Sequence, residues 1–229
     1  MRPGIEAVAF DLDGTLYPES SLNVRLVPFI LKEWRLLWNF GKARDLIRAE
    51  QERSSPLPPS SDFYDHQARL VAQISDADPQ LVKERIERFI YRGYEPHFRK
   101  IKLFPHVVHT LAALRGAGLK LGMLSDFPPE NKLEHLGIAG LWDVVMCSER
   151  TGALKPDIRP FATLSAALGV LPERILYVGN NLRYDAAGAK RAGMKTALIA
   201  GPLAALSGSR GLVDFTFHDY RQLCKFVLD

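Results

Sequence analysis

Residues 7–16 read Ala-Val-Ala-Phe-Asp-Leu-Asp-Gly-Thr-Leu, and this stretch decides the predicted fold. Its first four residues are small or apolar, which predicts a short buried strand over residues 7–10. Asp11 and Asp13 follow at alternate positions, and Gly14 allows the chain to turn sharply. This order places two carboxylates at the carboxyl end of a strand, where open α/β sheets bind their ligands.

Two acids beside a buried strand need a physical reason, because a desolvated carboxylate is costly without positive charge or hydrogen-bond donors nearby. One interpretation is an ordinary Asp-Gly turn, since both residues are common turn formers. The other is a phosphate site in which Mg²⁺, held by oxygen ligands, supplies the positive charge. The Asp-Leu-Asp-Gly string alone does not separate these two interpretations.

The longer string Phe-Asp-Leu-Asp-Gly-Thr-Leu, residues 10–16, resembles the first motif of the haloacid dehalogenase superfamily. The resemblance implies that Asp11 is a nucleophile forming an aspartyl-phosphate, and that Asp13 is a general acid/base. Main-chain amides from Leu12 to Gly14 would then bind phosphate oxygens. Dehalogenases of the superfamily lack an acid at the place of Asp13, because displacing a halide needs no proton donor and no Mg²⁺. Asp13 therefore favours phosphate chemistry.

The composition is that of an ordinary globular protein, with 229 residues, 47% of them hydrophobic and 24% charged. Cys147 and Cys224 lie far apart without metal-ligand spacing, which predicts free thiols in a reducing, cytoplasmic location. We expect no secretory signal, and no apolar stretch approaches the roughly 20 residues that a membrane span needs. The net charge of +4 comes from scattered Lys and Arg, so neither a nucleic acid nor a membrane is the expected partner.

A helical insertion is predicted after the first strand. Residues 17–21 are expected to form a linker. We expect Pro28 to lie at the start of the first helix or at a kink in it. Three helices, with a Pro/Ser-rich break over residues 54–61, are predicted over residues 22–52, 62–74 and 79–91. The first helix carries Trp34, Trp38 and several basic residues, which leaves a membrane-surface face or a dimer face as alternatives to simple packing.

Strands and helices alternate from about residue 103 to the end of the sequence. Further strands are predicted over residues 120–124, 144–147, 174–178, 195–200 and 214–217. This alternation predicts an α/β fold, a Rossmann-like, doubly wound and mostly parallel sheet with helices on both faces. We expect residues 1–18 and 101–229 to form this core, and residues 19–100 to form an inserted all-helical cap domain.

Two further stretches resemble the second and third motifs of the superfamily. Ser125 ends a predicted strand, and its hydroxyl would hydrogen-bond a phosphate oxygen. Asp126 would contribute to phosphate binding, chiefly through its main-chain N–H. Lys155 precedes Pro156 and follows Glu149 at the family spacing, so its ammonium would neutralise both the phosphate and the attacking carboxylate.

The fourth motif departs from the family pattern. Residues 179–185 read Gly-Asn-Asn-Leu-Arg-Tyr-Asp, with Asn180 where relatives usually carry an acid and Asp185 as the second acid. The resemblance implies an Mg²⁺ site built from Asp11, the main-chain carbonyl of Asp13, Asn180 and Asp185. An amide offers an oxygen but no charge. Weaker Mg²⁺ binding, a larger role for Asp185 and reduced activity therefore all stay open.

The sequence predicts a Mg²⁺-dependent phosphomonoester hydrolase that acts on a small phosphorylated metabolite, as a monomer or homodimer. One alternative is a phosphotransferase or phosphomutase, which passes the phosphoryl group to a sugar hydroxyl instead of water. Another is a non-catalytic binding or regulatory protein with a weakened metal site. Asn180 favours that last alternative, whereas Asp11, Asp13 and Lys155 argue against it.

Overall fold

A six-stranded parallel sheet forms the centre of the computed structural model, which describes residue 2 and residues 4–53, 63–200 and 211–229. The strands are β1 (Ala7–Phe10), β2 (Lys120–Ser125), β3 (Val144–Cys147), β4 (Ile175–Gly179), β5 (Lys195–Ile199) and β6 (Phe215–Phe217). Their order is β3-β2-β1-β4-β5-β6. Phe10 pairs with Met123 on one side and with Val178 on the other, and every described strand pair is parallel. The predicted α/β fold is confirmed.

The strand order reverses at β1, which lies between β2 and β4. The chain adds β2 and β3 on one side of β1 and then crosses to add β4, β5 and β6 on the other. A reversal of this kind leaves a crevice at the carboxyl ends of the strands, where open sheets bind ligands. Asp11 follows β1, Ser125 ends β2 and Asn180 follows β4, so three predicted motifs meet at this crevice.

The helices fall into two groups. Those of the sheet-containing part are α4 (Val107–Gly116), α5 (Glu130–His135), α6 (Ile158–Leu168), α7 (Ala187–Arg191) and α8 (Tyr220–Leu228). The insertion contains α1 (Glu19–Arg53), α2 (Phe63–Ser75) and α3 (Pro79–Ile86), which continues as a π-helical turn, Glu87–Tyr91. No helix among the described residues combines the length and apolar character needed to cross a membrane.

The first helix differs most from its prediction. It begins at Glu19, so the expected linker over residues 17–21 is wrong for its last three residues. The reason is tertiary packing: Leu22 and Leu26 are buried in the core beside the sheet, which stabilises a helix that begins earlier. The helix also runs through Pro28, and its non-helical residue is Glu33 (φ −113°, ψ 23°), five positions further on.

Helix α5 and the third helix of the insertion differ in how well the sequence predicts them. Helix α5 was not predicted, because it is only six residues long and follows two prolines, Pro128 and Pro129. The predicted third helix is confirmed at its start, where Asp78 caps the helix by accepting from the N–H groups of Gln80 and Leu81. The predicted break over residues 54–61 and the helix start at residue 62 lie outside the described residues.

Both faces of the sheet are buried, and the side chains of β1 point alternately to one face and to the other. Val8 and Phe10 lie in the apolar cluster that contains the buried face of α4. Ala7 and Ala9 lie in a second cluster with α6. Small side chains on that second face let α6 approach closely, since a Cβ atom on Gly122 would lie 3.1 Å from two leucine methyl groups of α6.

The insertion has an apolar core of its own, formed by side chains such as Leu36 and Phe40 of α1, Val71 of α2 and Ile86 of α3. The N-terminal part of α1 nevertheless packs with the sheet-side cluster. Helix α1 therefore contacts both layers, and division of the chain into domains at residues 18 and 101 stays a prediction.

Leu111→Ala tests the packing of α4 on the sheet. Leu111 is fully buried, whereas Val108 on the same helix is 50% exposed. We expect Leu111→Ala to lower the free energy of unfolding by about 2–5 kcal/mol through lost apolar burial and a residual cavity. Val108→Ala should change it by no more than about 0.5 kcal/mol. Equal effects of the two variants in urea unfolding would contradict this packing.

Candidate active site

Asp11 lies at the start of the crevice and is almost completely buried, with 6% of its surface exposed. Its main-chain N–H donates to the carbonyl of Val178, 2.9 Å away, which continues the pairing of β1 with β4. Oδ2 of its carboxylate accepts from the Thr15 hydroxyl at 2.9 Å. Oδ1 accepts from the Lys155 ammonium at 2.6 Å. The carboxylate is therefore held by donors on both oxygens.

The Lys155 ammonium pairs with two carboxylates, one after strand β1 and the other beyond strand β4. Its Nζ lies 2.6 Å from Oδ1 of Asp11 and 2.7 Å from Oδ1 of Asp185. The Tyr177 hydroxyl lies 3.3 Å from the same nitrogen. Burial alone lowers the pKa of Lys155, but the two carboxylates outweigh it and raise that pKa well above its usual value. Lys155 is therefore a buried, permanently charged ammonium.

One ammonium shared by two carboxylates leaves an excess of negative charge in a buried site. Burial raises the pKa of Asp11 to about 7; Lys155 opposes the rise, while Asp185 and Asp13 add to it. A carboxyl whose pKa rises beside an ammonium lacks full compensation for its charge. The site is thus electrostatically prepared to accept a further cation or to keep a proton.

Asn180 directly follows β4, and Asp185 lies in the π-helical turn Leu182–Ala186 that comes next. Both carboxylate oxygens of Asp185 are engaged: Oδ1 with Lys155, and Oδ2 with the main-chain N–H groups of Asn180 and Asn181, at 3.2 and 3.0 Å. Asn180 Oδ1 accepts from the Thr15 hydroxyl at 3.3 Å, so the amide oxygen faces the same hydroxyl as Asp11. Asp185 therefore shapes the loop that presents Asn180 to Asp11.

Gly14 is required by the close approach of Asn180. Its φ is +83°, in the region that favours glycine, and a Cβ atom there would lie 2.2 Å from Asn180 Nδ2. The side chain of Asn180, which follows β4, thus packs directly against the main chain of the turn after β1.

Asp13 points toward a different set of partners from those of Asp11. Its Oδ1 accepts a short hydrogen bond from the hydroxyl of Tyr17, which is fully buried. The Lys132 ammonium lies 3.1 and 2.9 Å from its two oxygens. Lys132 is 8% exposed and stands 5.0 and 5.3 Å from the ring centroids of Phe98 and Phe127. Asp13 is therefore oriented by one hydroxyl and one ammonium.

The predicted phosphate-binding residues lie at the same edge of the sheet. Ser125 is fully buried at the end of β2, and its hydroxyl accepts from the N–H of Phe127 at 3.3 Å. Leu12 is fully buried, and its carbonyl accepts from the N–H groups of Thr15 and Leu16. Asp126 differs from expectation in having an engaged side chain, which accepts from Arg44, Arg48 and the Lys155 N–H.

A cavity of about 1700 Å³ lies between the insertion and the sheet-containing part. Near the carboxyl edge it is lined by Asp13, Lys132 and Phe127, and on the insertion side by Leu26, Trp34 and Trp38. Asp13 and Lys132 thus line a space that can hold a ligand.

The donor chemistry of this edge fits Mg²⁺. Asp11, Asp185 and the Asn180 amide offer hard oxygen atoms, and the excess negative charge around Asp11 calls for a cation. Among the described residues, no group of three or more His, Cys, Asp or Glu side chains is arranged to hold a metal ion. A site here would therefore depend on the Asn180 amide, main-chain carbonyls and water as well as carboxylates.

Comparisons with known proteins identify the family of the chain. Residues 5–193 match the family model described as haloacid dehalogenase-like hydrolase. The chain belongs to the haloacid dehalogenase-like hydrolases. The resemblance noted in the four motifs is therefore confirmed, and the matched residues include all of the candidate site.

Two curated relatives of this haloacid dehalogenase-like hydrolase are phosphatases. The glyceraldehyde 3-phosphate phosphatase of Methanopyrus kandleri is 34% identical over 202 residues, which are 85% of this chain and 84% of that protein. The phosphoglycolate phosphatase of Salmonella typhi is 29% identical over 211 residues, 82% of this chain and 79% of that protein. Together with the family match, these relatives show that this protein is an enzyme of the phosphatase branch of the family.

The fold is shared with both phosphatases and dehalogenases. The crystal structure of a phosphatase of the same family from Thermococcus onnurineus aligns with a TM-score of 0.65 and 26% identity, covering 98% of each chain. Two L-2-haloacid dehalogenases and a 2-haloacid dehalogenase from Pseudomonas syringae, of 20% to 24% identity, also align, with TM-scores of 0.63 to 0.65. The likeness to those dehalogenases shows the fold alone.

Sequence reasoning missed several residues of the site. Lys132 lies on the short helix α5, outside any recognised motif, so its spacing from Asp13 carries no signal. Thr15 is inside the first motif, but only the structure shows its hydroxyl between Asp11 and Asn180. Arg44 and Arg48 come from the insertion, where one sequence cannot distinguish a site residue from a solvated charge.

Gly14→Ala tests the contact between the two loops. Gly118 is a matched control, since its φ is also +83° but no atom lies within 4 Å of a Cβ added there. We expect Gly118→Ala to cost about 1–2 kcal/mol of stability from backbone strain alone. Gly14→Ala should cost more and should also abolish most phosphatase activity, because Asn180 must move. Equal stability and activity of the two variants would contradict the contact.

Proposed function

We propose that this hydrolase cleaves phosphate monoesters of small metabolites through a phosphoryl-aspartate on Asp11, with Asp13 as general acid/base. The observation that carries the proposal is the buried contact between the Asp11 carboxylate and the Lys155 ammonium, 2.6 Å apart at the carboxyl end of β1. Phosphoryl transfer asks a protein mainly for positioning and charge neutralisation. This pair, with Asp13 two residues away, supplies both.

In the first step, an oxygen of Asp11 attacks phosphorus while the bond from phosphorus to the ester oxygen breaks. Asp13 donates a proton to that departing oxygen, so an alcohol leaves and the phosphoryl group stays on Asp11. Lys155 stabilises the negative charge on the transferred oxygens. Ser125 and the main-chain N–H groups from residues 12–14 are proposed to bind the other phosphate oxygens.

In the second step, Asp13 accepts a proton from water, whose oxygen attacks phosphorus and releases phosphate and the free Asp11 carboxylate. Tyr17 and Lys132 hold the Asp13 side chain in one orientation for both steps. The presence of Asp13 supports hydrolysis of an ester over displacement of a halide, since only the ester oxygen needs a proton.

Mg²⁺ is the proposed cofactor, held by Asp11, the main-chain carbonyl of Asp13, Asn180 and Asp185. When bound, Mg²⁺ supplies positive charge beside the phosphate and the attacking carboxylate. Because Asp185 already accepts from three N–H donors, Asn180 and Asp11 are the more available ligands. The amide lowers the charge of the site, so binding should be weak.

The substrate is proposed to be a small phosphorylated metabolite, in keeping with the glyceraldehyde 3-phosphate and phosphoglycolate phosphatases among the relatives. Residues 19–100 are proposed to act as a cap, because helix α1 lines one side of the cavity beside Asp13. Lys132 is the cation nearest Asp13 in that cavity, and an anionic or hydroxyl group of the leaving alcohol would contact it.

The direct test is phosphate release from p-nitrophenyl phosphate and a panel of metabolite phosphates, with and without Mg²⁺. We expect Mg²⁺-dependent release by the wild type and essentially complete loss in Asp11→Asn, which removes the nucleophile. Asp229→Asn, the same change at the exposed C-terminal residue, should keep wild-type activity. Release that survives Asp11→Asn would contradict the proposal, and an isomerised ester in place of phosphate would indicate a mutase.

The acid role of Asp13 is tested by changing the leaving group. Asp13→Asn should lower kcat for an alkyl phosphate by about 100-fold or more, because a poor leaving group needs a proton. The loss for p-nitrophenyl phosphate should be much smaller, since its leaving group is stable as an anion. Equal losses on the two substrates would rule out proton donation by Asp13.

The metal role of Asn180 is tested by calorimetric titration of Mg²⁺ in Asn180→Asp. Adding a carboxylate should tighten Mg²⁺ binding by roughly tenfold, since ligand charge sets the affinity for hard cations. Asn181→Asp is the control, because Asn181 caps the following helical turn through its Oδ1 and should leave Mg²⁺ affinity nearly unchanged. If neither variant changes the affinity, Asn180 is not a ligand.

A further inference from the structure

Two arginines of helix α1 reach into the sheet-containing part. Arg44 and Arg48 are one turn apart and face the same side of the helix. Both donate to Oδ2 of Asp126, from Nη2 of each guanidinium, at 3.3 and 3.0 Å. The side chains of Arg44 and Arg48 are 6% and 10% exposed, and that of Asp126 is 14% exposed. These are largely buried ion pairs that join the insertion to the loop after β2.

The hydrogen bonds of the Arg44 guanidinium go to residues other than Lys155. Besides Asp126, its guanidinium donates to Glu149 in a short hydrogen bond and to the Gln67 side chain at 3.3 Å. It also lies 4.4 Å from the ring centroid of Phe127. Arg44 therefore holds α1 and α2 against the loops, and none of its contacts reaches Lys155 directly.

Arg48 differs from Arg44 because it contacts Lys155 itself. Its Nε donates to the Lys155 carbonyl at 3.0 Å. On the other side of the same residue, the Lys155 N–H donates to Oδ1 of Asp126 at 3.1 Å. The main chain of Lys155 is thus held at both polar groups by two side chains that are ion-paired with each other. We call this ring of Arg48, Asp126 and Lys155 the lysine clamp.

The lysine clamp matters because the ammonium of Lys155 must be placed accurately. Its Nζ lies between Asp11 and Asp185 at 2.6 and 2.7 Å. A shift of the Lys155 main chain would change both distances, and misplacing a catalytic group by about 1 Å can cost 100-fold in rate. Arg48 belongs to the insertion, so the same guanidinium contacts both the loop after β2 and the main chain of Lys155.

We propose that Arg48 is a positioning residue, which couples the seating of helix α1 on the sheet to the placement of the Lys155 ammonium beside Asp11. This inference rests on the proposed phosphoryl transfer for its effect on rate. Its structural part, the hold on the Lys155 main chain, does not depend on which ester is the substrate.

The test compares Arg48→Met with Arg35→Met, the same change at an exposed position of the same helix. We expect Arg48→Met to lower kcat by about 10- to 100-fold with little change in KM, since its guanidinium fixes Lys155 and not the substrate. Arg35→Met should keep the wild-type kcat. A folded Arg48→Met variant with wild-type kcat would overturn the proposal and leave only a role in stability.

Hydrogen exchange gives a second readout that does not depend on activity. In the wild type, the Lys155 amide should exchange slowly because it donates to Asp126, and in Arg48→Met it should exchange measurably faster. If the wild type releases no phosphate from any ester, the proposed function fails, but exchange at Lys155 still decides whether the clamp exists. Unchanged exchange would contradict the clamp.

Arg48→Lys covers the case in which Arg48→Met does not fold. Lysine keeps positive charge beside Asp126 but lacks the planar fork that serves Asp126 and the Lys155 carbonyl together. We expect this variant to fold and to show a lowered kcat. A wild-type kcat in Arg48→Lys would contradict the proposal.

A double variant separates coupling from simple addition. Asp126→Asn removes the carboxylate charge that pairs with Arg48 and leaves a weaker, neutral acceptor for the Lys155 N–H. If the three groups form one clamp, Arg48→Met should lower kcat much less in the Asp126→Asn background than in the wild type. Fully additive losses would show that Arg48 and Asp126 act independently, which the proposal excludes.

Discussion

The structure depends above all on one buried ammonium, that of Lys155, held between the carboxylates of Asp11 and Asp185. Burying any of these three charges without a partner would cost several kcal/mol, so each of them depends on the other two. Asp11 follows β1, Asp185 lies beyond β4, and Lys155 comes after β3. The strand order that places β1 between β2 and β4 is what makes this meeting possible. Because two carboxylates share one ammonium, the site also keeps the unbalanced negative charge that a cation can satisfy.

Contacts around this group explain why the neighbouring loops have their particular residues. Gly14 lets the Asn180 side chain approach the turn after β1, and the Thr15 hydroxyl links Asn180 to Asp11. Asp126 and Arg48 hold the main chain of Lys155 from its two sides. Asp13 faces away from this group, toward Lys132 and the cavity. One side of the site therefore fixes the nucleophile, and the other side meets the leaving group.

Most of the sheet could be predicted, because most strands are short, mainly apolar runs, and several are followed by a polar residue, such as Asp11 after β1 and Asn180 after β4. The strands at residues 7–10 and 144–147 match their predictions at both ends. The start of helix α1 was harder to predict. Burial of Leu22 and Leu26 against the sheet extends this helix through residues that locally favour a turn. Lys132, Arg44 and Arg48 were not predicted as site residues. These side chains matter because they contact residues that lie 78 to 119 positions away in the sequence. No local sequence pattern encodes such contacts. The chemical roles of Asp11, Asp13 and Lys155 stay predictions until activity is measured.

The most direct test of the account is to trap the phosphorylated enzyme. Wild-type protein would be mixed with substrate and Mg²⁺, quenched in acid within one turnover, and mapped by peptide mass spectrometry. The account predicts one phosphoryl group on the peptide that contains Asp11, absent without substrate and absent in Asp11→Asn. Turnover without any phosphorylated peptide, or a phosphoryl group on another residue, would contradict the assignment of Asp11 as nucleophile.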